Sequence, residues 1–74
     1  MLRLPVIPGR ELIAALGRLG YEVSRTRGSH ARLVCAGRPS VTVPLHRELD
    51  RGTLRAILAE AGLSAEELRE LLRG

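Results

Sequence analysis

The sequence has no tryptophan, no phenylalanine and a single tyrosine, Tyr21. A surface that grips single strands by stacking bases on successive aromatic rings is therefore disfavoured. One cysteine, Cys35, is too few for an internal disulfide and cannot build a zinc knuckle or ribbon. A reducing, cytoplasmic setting is the expectation. The longest unbroken apolar run, Leu12 to Leu16, is five residues. That is short of a transmembrane helix and of a signal-peptide core, so no membrane partner is expected. No glycine-rich phosphate loop is present, because Gly17 and Gly20 sit within or just after a helical pattern. Lysine is absent too.

All twelve basic residues are arginine, and the net charge is +4. Arginine offers a planar fork of donors that matches phosphate and stays protonated at any working pH. The charge is also polarised. Residues 1–47 hold eight arginines against Glu11 and Glu22, a balance of +6, whereas residues 48–74 hold four arginines against six acids, a balance of −2. A basic half on a small protein suggests a polyanion such as nucleic acid; a merely solvated arginine-rich surface is the alternative. The 74 residues make one domain, 1–74. A chain of this size buries only about 60% of the surface its unfolded form exposes. Its composition, 45% hydrophobic and 27% charged, is that of a globular protein.

Periodicity predicts one helix, three strands and two further helices. Leu12, Ile13, Leu16 and Leu19 form a helical stripe behind Pro8 and Gly9, with Gly20 at the left-handed position that closes it. Tyr21 to Arg25, Ser29 to Ala36 and Ser40 to Leu45 alternate as half-buried strands. Ala31, Leu33, Cys35, Val41, Val43 and Leu45 are the inward residues of the second and third, and Pro44 marks the third as an edge. A second helix starts near Asp50 and carries Leu54, Ile57, Leu58 and Ala61. The third opens on a Ser64/Glu67 capping box and buries Leu68, Leu71 and Leu72. An antiparallel meander with the helices on one face is the two-layer solution, an α+β fold.

Turn chemistry suggests registers. A three-residue loop Thr26-Arg27-Gly28, with Gly28 at positive φ, would set Val23 opposite Ala31, Tyr21 opposite Leu33, Glu22 opposite Arg32 and Ser24 opposite His30. A Gly37-Arg38-Pro39 loop would set Cys35 opposite Val41, Leu33 opposite Val43, Ala31 opposite Leu45 and His30 opposite His46. The two histidines, sixteen residues apart, would then be neighbours on the face away from the helices.

These residues support few chemistries. Cys35 has the opposite strand parity from His30, so it cannot join the histidines in a metal site, and the acids nearby are too few to complete one. As a core thiol among apolar neighbours it would also be inert. What remains is His30 on an open sheet face, flanked by Ser29 and Arg32 and reached through Arg25-Thr26-Arg27-Gly28. An imidazole ordinarily titrates near pH about 6.5 and can act as base or acid. Arginines beside it can hold a phosphodiester. That combination suits metal-free RNA cleavage in which the substrate's own 2′-OH attacks, but the same residues also suit an ordinary exposed histidine on a basic module.

Gly9-Arg10-Glu11-Leu12-Ile13, Leu19-Gly20-Tyr21, Arg27-Gly28-Ser29-His30, Val41-Thr42-Val43-Pro44-Leu45-His46, Gly52-Thr53-Leu54-Arg55-Ala56-Ile57-Leu58 and Ala61-Gly62-Leu63 together resemble the HicA family of toxins, from about Gly9 to Leu72. Gly-Ser-His alone is a weak signal; combined with Val-Pro-x-His and Gly-Thr-Leu-Arg at these spacings it is specific. The resemblance implies a double-stranded-RNA-binding-domain-like fold and an mRNA interferase, a ribosome-independent endoribonuclease; no cofactor is expected. It also implies inhibition by a HicB antitoxin that masks the active surface. The family's catalytic histidine falls on His30, and the histidine of Val-Pro-x-His falls on His46, which the expected register makes the candidate acid or phosphate partner and which could instead only position the second helix. Arg25, Arg27, Ser29, Arg32 and Arg47 are the expected RNA-binding residues. The chain departs from the family in carrying Leu33, Val34 and only Arg32 where members commonly place an aromatic and lysines. A non-catalytic module gripping duplex RNA, and an adaptor that contacts only protein, are the other readings.

Overall fold

The computed structural model describes residues 4–74, so residues 1–3 of the expected domain lie outside the description. The elements run α1 (Gly9–Leu19), β1 (Glu22–Arg27), β2 (His30–Cys35), β3 (Arg38–Pro44), α2 (Arg51–Ala61) and α3 (Ala65–Arg73). The strands form an antiparallel meander in the order β1-β2-β3. The fold is α+β, of double-stranded-RNA-binding-domain type.

The burial periodicities of helix and strand meet in one core. Leu12, Ala15 and Leu16 of α1, Leu54, Ile57, Leu58 and Ala61 of α2, and Leu68 of α3 pack with Ala31, Leu33, Val41 and Val43 of the sheet. Leu71 and Leu72 lie partly buried at its margin. Alternate residues of β2, namely His30, Arg32 and Val34, face away and are exposed, so the helices cover one face and leave the other open. Ile7, Leu49 and Leu63, outside the regular elements, complete the core.

The helix ends are chemically specified. Asp50 caps α2, its carboxylate accepting from the Thr53 amide and hydroxyl, both at 2.8 Å; these bonds hold the carboxyl below its ordinary value. Ser64 and Glu67 form the expected capping box of α3. Gly20 closes α1 at φ 120° and Gly62 closes α2 in the left-handed region. Tyr21 is buried and donates to the Pro39 carbonyl at 2.7 Å. Burial, with Cys35 nearby, pushes its phenol above the usual value.

Both hairpin registers differ from expectation. The first loop is the two-residue Gly28-Ser29, flanked by Arg27 opposite His30. Gly28, at φ 57°, occupies the first turn position and no other residue of the turn has positive φ, the arrangement of a type II′ hairpin. Thr26 therefore faces Ala31, Arg25 faces Arg32, Val23 faces Leu33 and Glu22 faces Val34. None of the four expected pairs forms. The ladder also slips between Val23 and Arg25, leaving Ser24 as an extra residue. Val23, on an outer strand, is 47% exposed.

The second loop is Ala36-Gly37, with Cys35 opposite Arg38. Leu33 pairs with Val41, Ala31 with Val43 and His30 with Pro44. This register is displaced by two residues from the expected one, so face parity survives and Ala31, Leu33, Val41 and Val43 are inward as expected. Leu45 is the exception. Strand β3 ends at Pro44, an edge-strand proline, and Leu45 is 40% exposed. Cys35 follows a second slip in the ladder and is half-buried at the core margin rather than within it.

The chain leaving β3 is held by three backbone bonds. The Leu45 amide donates to the Ser29 carbonyl at 2.6 Å, the Gly9 amide to the His46 carbonyl at 2.9 Å, and the Leu49 amide to the Ile7 carbonyl at 2.9 Å. Gly9 is buried so tightly that a methyl group there would overlap the Pro44 carbonyl oxygen. Because the obstacle is backbone, it cannot swing aside. Gly9→Ala is expected to destabilise the fold by about 1–3 kcal/mol through overpacking, read as a lower urea midpoint with an unchanged m-value.

Candidate functional site

The open face of the sheet carries the cations. His30 and Arg32 face outward from β2. Arg27 and Arg25 stand directly opposite them on β1. Without the extra residue at Ser24, strand alternation would give Arg25 the parity of Val23, toward the helices. The bulge resets the phase and sends it out beside Arg32. Ser24 itself donates from its hydroxyl to the Arg32 carbonyl at 3.2 Å. The guanidinium of Arg32 donates to the Thr42 hydroxyl on β3 at 3.1 Å, which fixes its direction across the sheet. Arg25, Arg27, His30, Arg32 and Thr42 line one hollow of about 320 Å³.

His46 reaches the same region although the register differs from the expected one. Strand β3 ends at Pro44, opposite His30, and backbone bonds to Ser29 and Gly9 hold the next two residues in place beside it. The rings of His30 and His46 lie 6.5 Å apart at an angle of 64°. Two imidazoles at this distance are too far apart to bond each other and close enough to touch one phosphate group together. On the far side of His46 lies a larger hollow of about 600 Å³, lined by Pro8, Arg10, Leu45, His46, Arg47 and Glu48.

The expected site residues thus fall into two groups around the histidine pair. Arg25, Arg27 and Arg32 gather about His30. Arg47 stands apart from them in the hollow beside His46. Ser29 is exposed in the hairpin turn and contributes its carbonyl to the bond that positions Leu45. Sequence reading missed Thr42, whose parity with Arg32 was available, Glu48, which follows His46 and Arg47 along the chain, and Arg10, which reaches the site only because α1 docks on the end of β3. Among the described residues no three His, Cys, Asp or Glu side chains cluster as metal ligands, and no helix is long and apolar enough to cross a membrane.

A double-stranded-RNA-binding-domain type of fold whose uncovered sheet face holds paired histidines among arginines defines a class of small basic modules. Comparison with known proteins narrows it. The family model described as HicA toxin of bacterial toxin-antitoxin matches residues 9–63, and the chain belongs to this family. A solved structure described as a toxin-antitoxin complex from Streptococcus pneumoniae contains a chain 33% identical in sequence, with a TM-score of 0.68. That similarity covers 77% of this chain and 98% of the other. The comparison with curated proteins finds no match.

The geometry has a cost in stability that can be measured. Like charges directly opposite on neighbouring strands repel, and Arg25 faces Arg32 on an exposed surface. Arg25→Glu should therefore raise thermal stability, by an amount on the order of a few tenths of a kcal/mol. The gain should shrink as salt is added, because exposed charges are screened. A melt series across ionic strength reads both effects.

Proposed function

We propose that this toxin is a metal-independent endoribonuclease that cleaves mRNA by attack of the substrate's 2′-OH. The observation that supports it is the pairing of His30 and His46 at 6.5 Å on the open face, beside a hollow lined by Arg25, Arg27 and Arg32. Family membership adds weight to the reading.

In this mechanism His30 takes the proton of the 2′-OH as the oxygen attacks phosphorus. The P–O5′ bond breaks, and His46 in its protonated form gives a proton to the leaving 5′-oxygen. The products are a 2′,3′-cyclic phosphate and a 5′-OH end, so atoms and protons balance. Each proton transfer contributes on the order of 10²–10⁴ in rate. Arg25, Arg27 and Arg32 hold the phosphodiester and offset the negative charge that builds on its oxygens. Arg47 binds on the His46 side, and Ser29 orders the turn beside the scissile phosphate.

His30→Ala should abolish cleavage while leaving RNA binding in place. Activity should persist in EDTA and stop on RNA carrying a 2′-O-methyl at the cut position. The rate should follow a bell in pH, and His46→Ala should lose the limb that reports the acid. Arg27→Ala should weaken binding and lower the salt slope by about 0.7 for single-stranded RNA. Cleavage at the native rate by His30→Ala would leave a non-catalytic RNA-binding module as the better reading.

The open face also suits a HicB-type antitoxin. A partner that lays carboxylates over Arg25, Arg27 and Arg32 would exclude RNA by occupying its place, with fast association at low salt. Hydrogen exchange on the complex should slow in β1, β2 and β3. Protection confined to α2 and α3 would rule this mode of inhibition out.

A further inference from the structure

The hollow beyond His46 shares that ring with the cleavage step, but the step gives no role to Arg10, Leu45 or Glu48, which also line it. It is the larger of the two and lies against the proposed acid, whereas the Arg25/Arg27/Arg32 hollow lies against the proposed base. The two meet at the histidine pair. Its lining is mixed in a way that a mere phosphate patch would not be. Arg10 and Arg47 supply two fixed positive charges, Leu45 an apolar side chain 40% exposed, and Glu48 a carboxylate at the same opening.

We propose that this hollow is a nucleotide-binding subsite for the residue on the 3′ side of the cut. The inference rests on the cleavage reading above, and the chemistry of the leaving group sets its polarity. The acid must stand next to the 5′-oxygen, and that oxygen belongs to the nucleotide that follows the scissile phosphate. If His46 is the acid, this nucleotide lies on the Leu45 side of the ring. Its own 3′-phosphate then falls to Arg10 and Arg47, which offer guanidinium forks to the anion. The base packs on Leu45, which contributes by removing apolar surface from water. Glu48 can only accept hydrogen bonds, so it repels phosphate and selects a base edge that presents an amino group. The subsite thus takes an unpaired nucleotide with an amino-bearing base. A duplex could not fill it, because its base edges remain paired and stacked.

The test separates the subsite from the cleavage reading by measuring binding to RNA that cannot be cut. Single-stranded 2′-O-methyl 12-mers of A, C or U are titrated against the full chain at several salt concentrations. Arg10→Ala should flatten the salt slope by about 0.7, as should Arg47→Ala, whereas Arg55→Ala on α2 should leave it unchanged. Leu45→Ser should weaken binding without altering the slope, and Glu48→Ala should narrow the preference for A and C over U. Arg10 and Leu45 are exposed, and an unaltered melt for each variant would show that folding is intact. A normal salt slope for Arg10→Ala alongside a reduced slope for Arg27→Ala would overturn the subsite and leave the cleavage reading standing. Unchanged RNA binding with weakened antitoxin binding in Arg10→Ala would overturn it too, making the hollow a protein contact. Loss of cleavage in His30→Ala without any effect of Arg10, Leu45 or Glu48 on binding would have the same meaning.

Discussion

The contact between Gly9 and the end of β3 governs the geometry of the open face. Helix α1 begins where its backbone can lie directly on the Pro44 carbonyl, and only a residue without a side chain permits that approach. The Gly9 amide spends its hydrogen bond on the His46 carbonyl. That amide belongs to the first turn of a helix and has no partner within it, so one bond serves both the helix start and the histidine. The bond from Leu45 to Ser29 then fastens the same segment to the hairpin turn beside His30. His30 lies in β2 and His46 in the segment after β3, but both are anchored by main-chain bonds within two residues.

This junction explains how the open face can accept poor local electrostatics. Arg25 opposite Arg32, and Arg27 opposite His30, place cation beside cation or near-cation. Neither pair helps the sheet form. The acids of the chain lie mainly after residue 47, and Asp50, Glu67 and Glu70 are engaged within the helical layer in caps and an ion pair. They are not on hand to neutralise the sheet. Stability is supplied instead by the apolar face beneath and by the bonds at the Gly9 junction. A local rule broken where the rest of the fold is consistent is the usual mark of a functional surface.

The sequence made some of this legible and hid the rest for physical reasons. Helix stripes at Leu54, Ile57, Leu58 and Ala61, the Ser64/Glu67 box and the inward set Ala31, Leu33, Val41 and Val43 depend on local periodicity, and all were readable. Turn length was not. Gly28 was rightly given positive φ, but a glycine suits the first position of a two-residue turn as well as the third of a longer one. An error of two residues in the second hairpin kept Ala31, Leu33, Val41 and Val43 on their proper face, since strand parity has a period of two. The bulge at Ser24 leaves no trace in composition, and it decides where Arg25 points. Leu45 fails for a similar reason, because alternation predicts an inward residue only while the strand continues. Arg10 was invisible because a tertiary contact brings α1 to the end of β3, whereas Glu48 directly follows the expected site residues His46 and Arg47 and could have been found from that proximity.

The histidines and arginines are positioned to different standards, and this bears on how such a site could treat RNA. His30 sits in a paired strand, and His46 accepts the Gly9 amide at its own carbonyl and follows the bonded Leu45, so the scaffold sets the backbone positions of both. Of the arginines about His30, Arg32 is tied to Thr42, while Arg25 and Arg27 extend from an exposed outer strand. Proton transfer demands close placement of both groups, and backbone bonds on either side bring the two exposed rings within 6.5 Å of each other. Phosphate binding demands charge and tolerates adjustment, because the backbone is the same at every nucleotide. On the proposed reading, a histidine pair beside arginines that bind only backbone phosphate would cut many sequences at similar rates. Any discrimination on that reading would then come from the mixed hollow beyond His46, where an apolar side chain and a carboxylate stand among the cations.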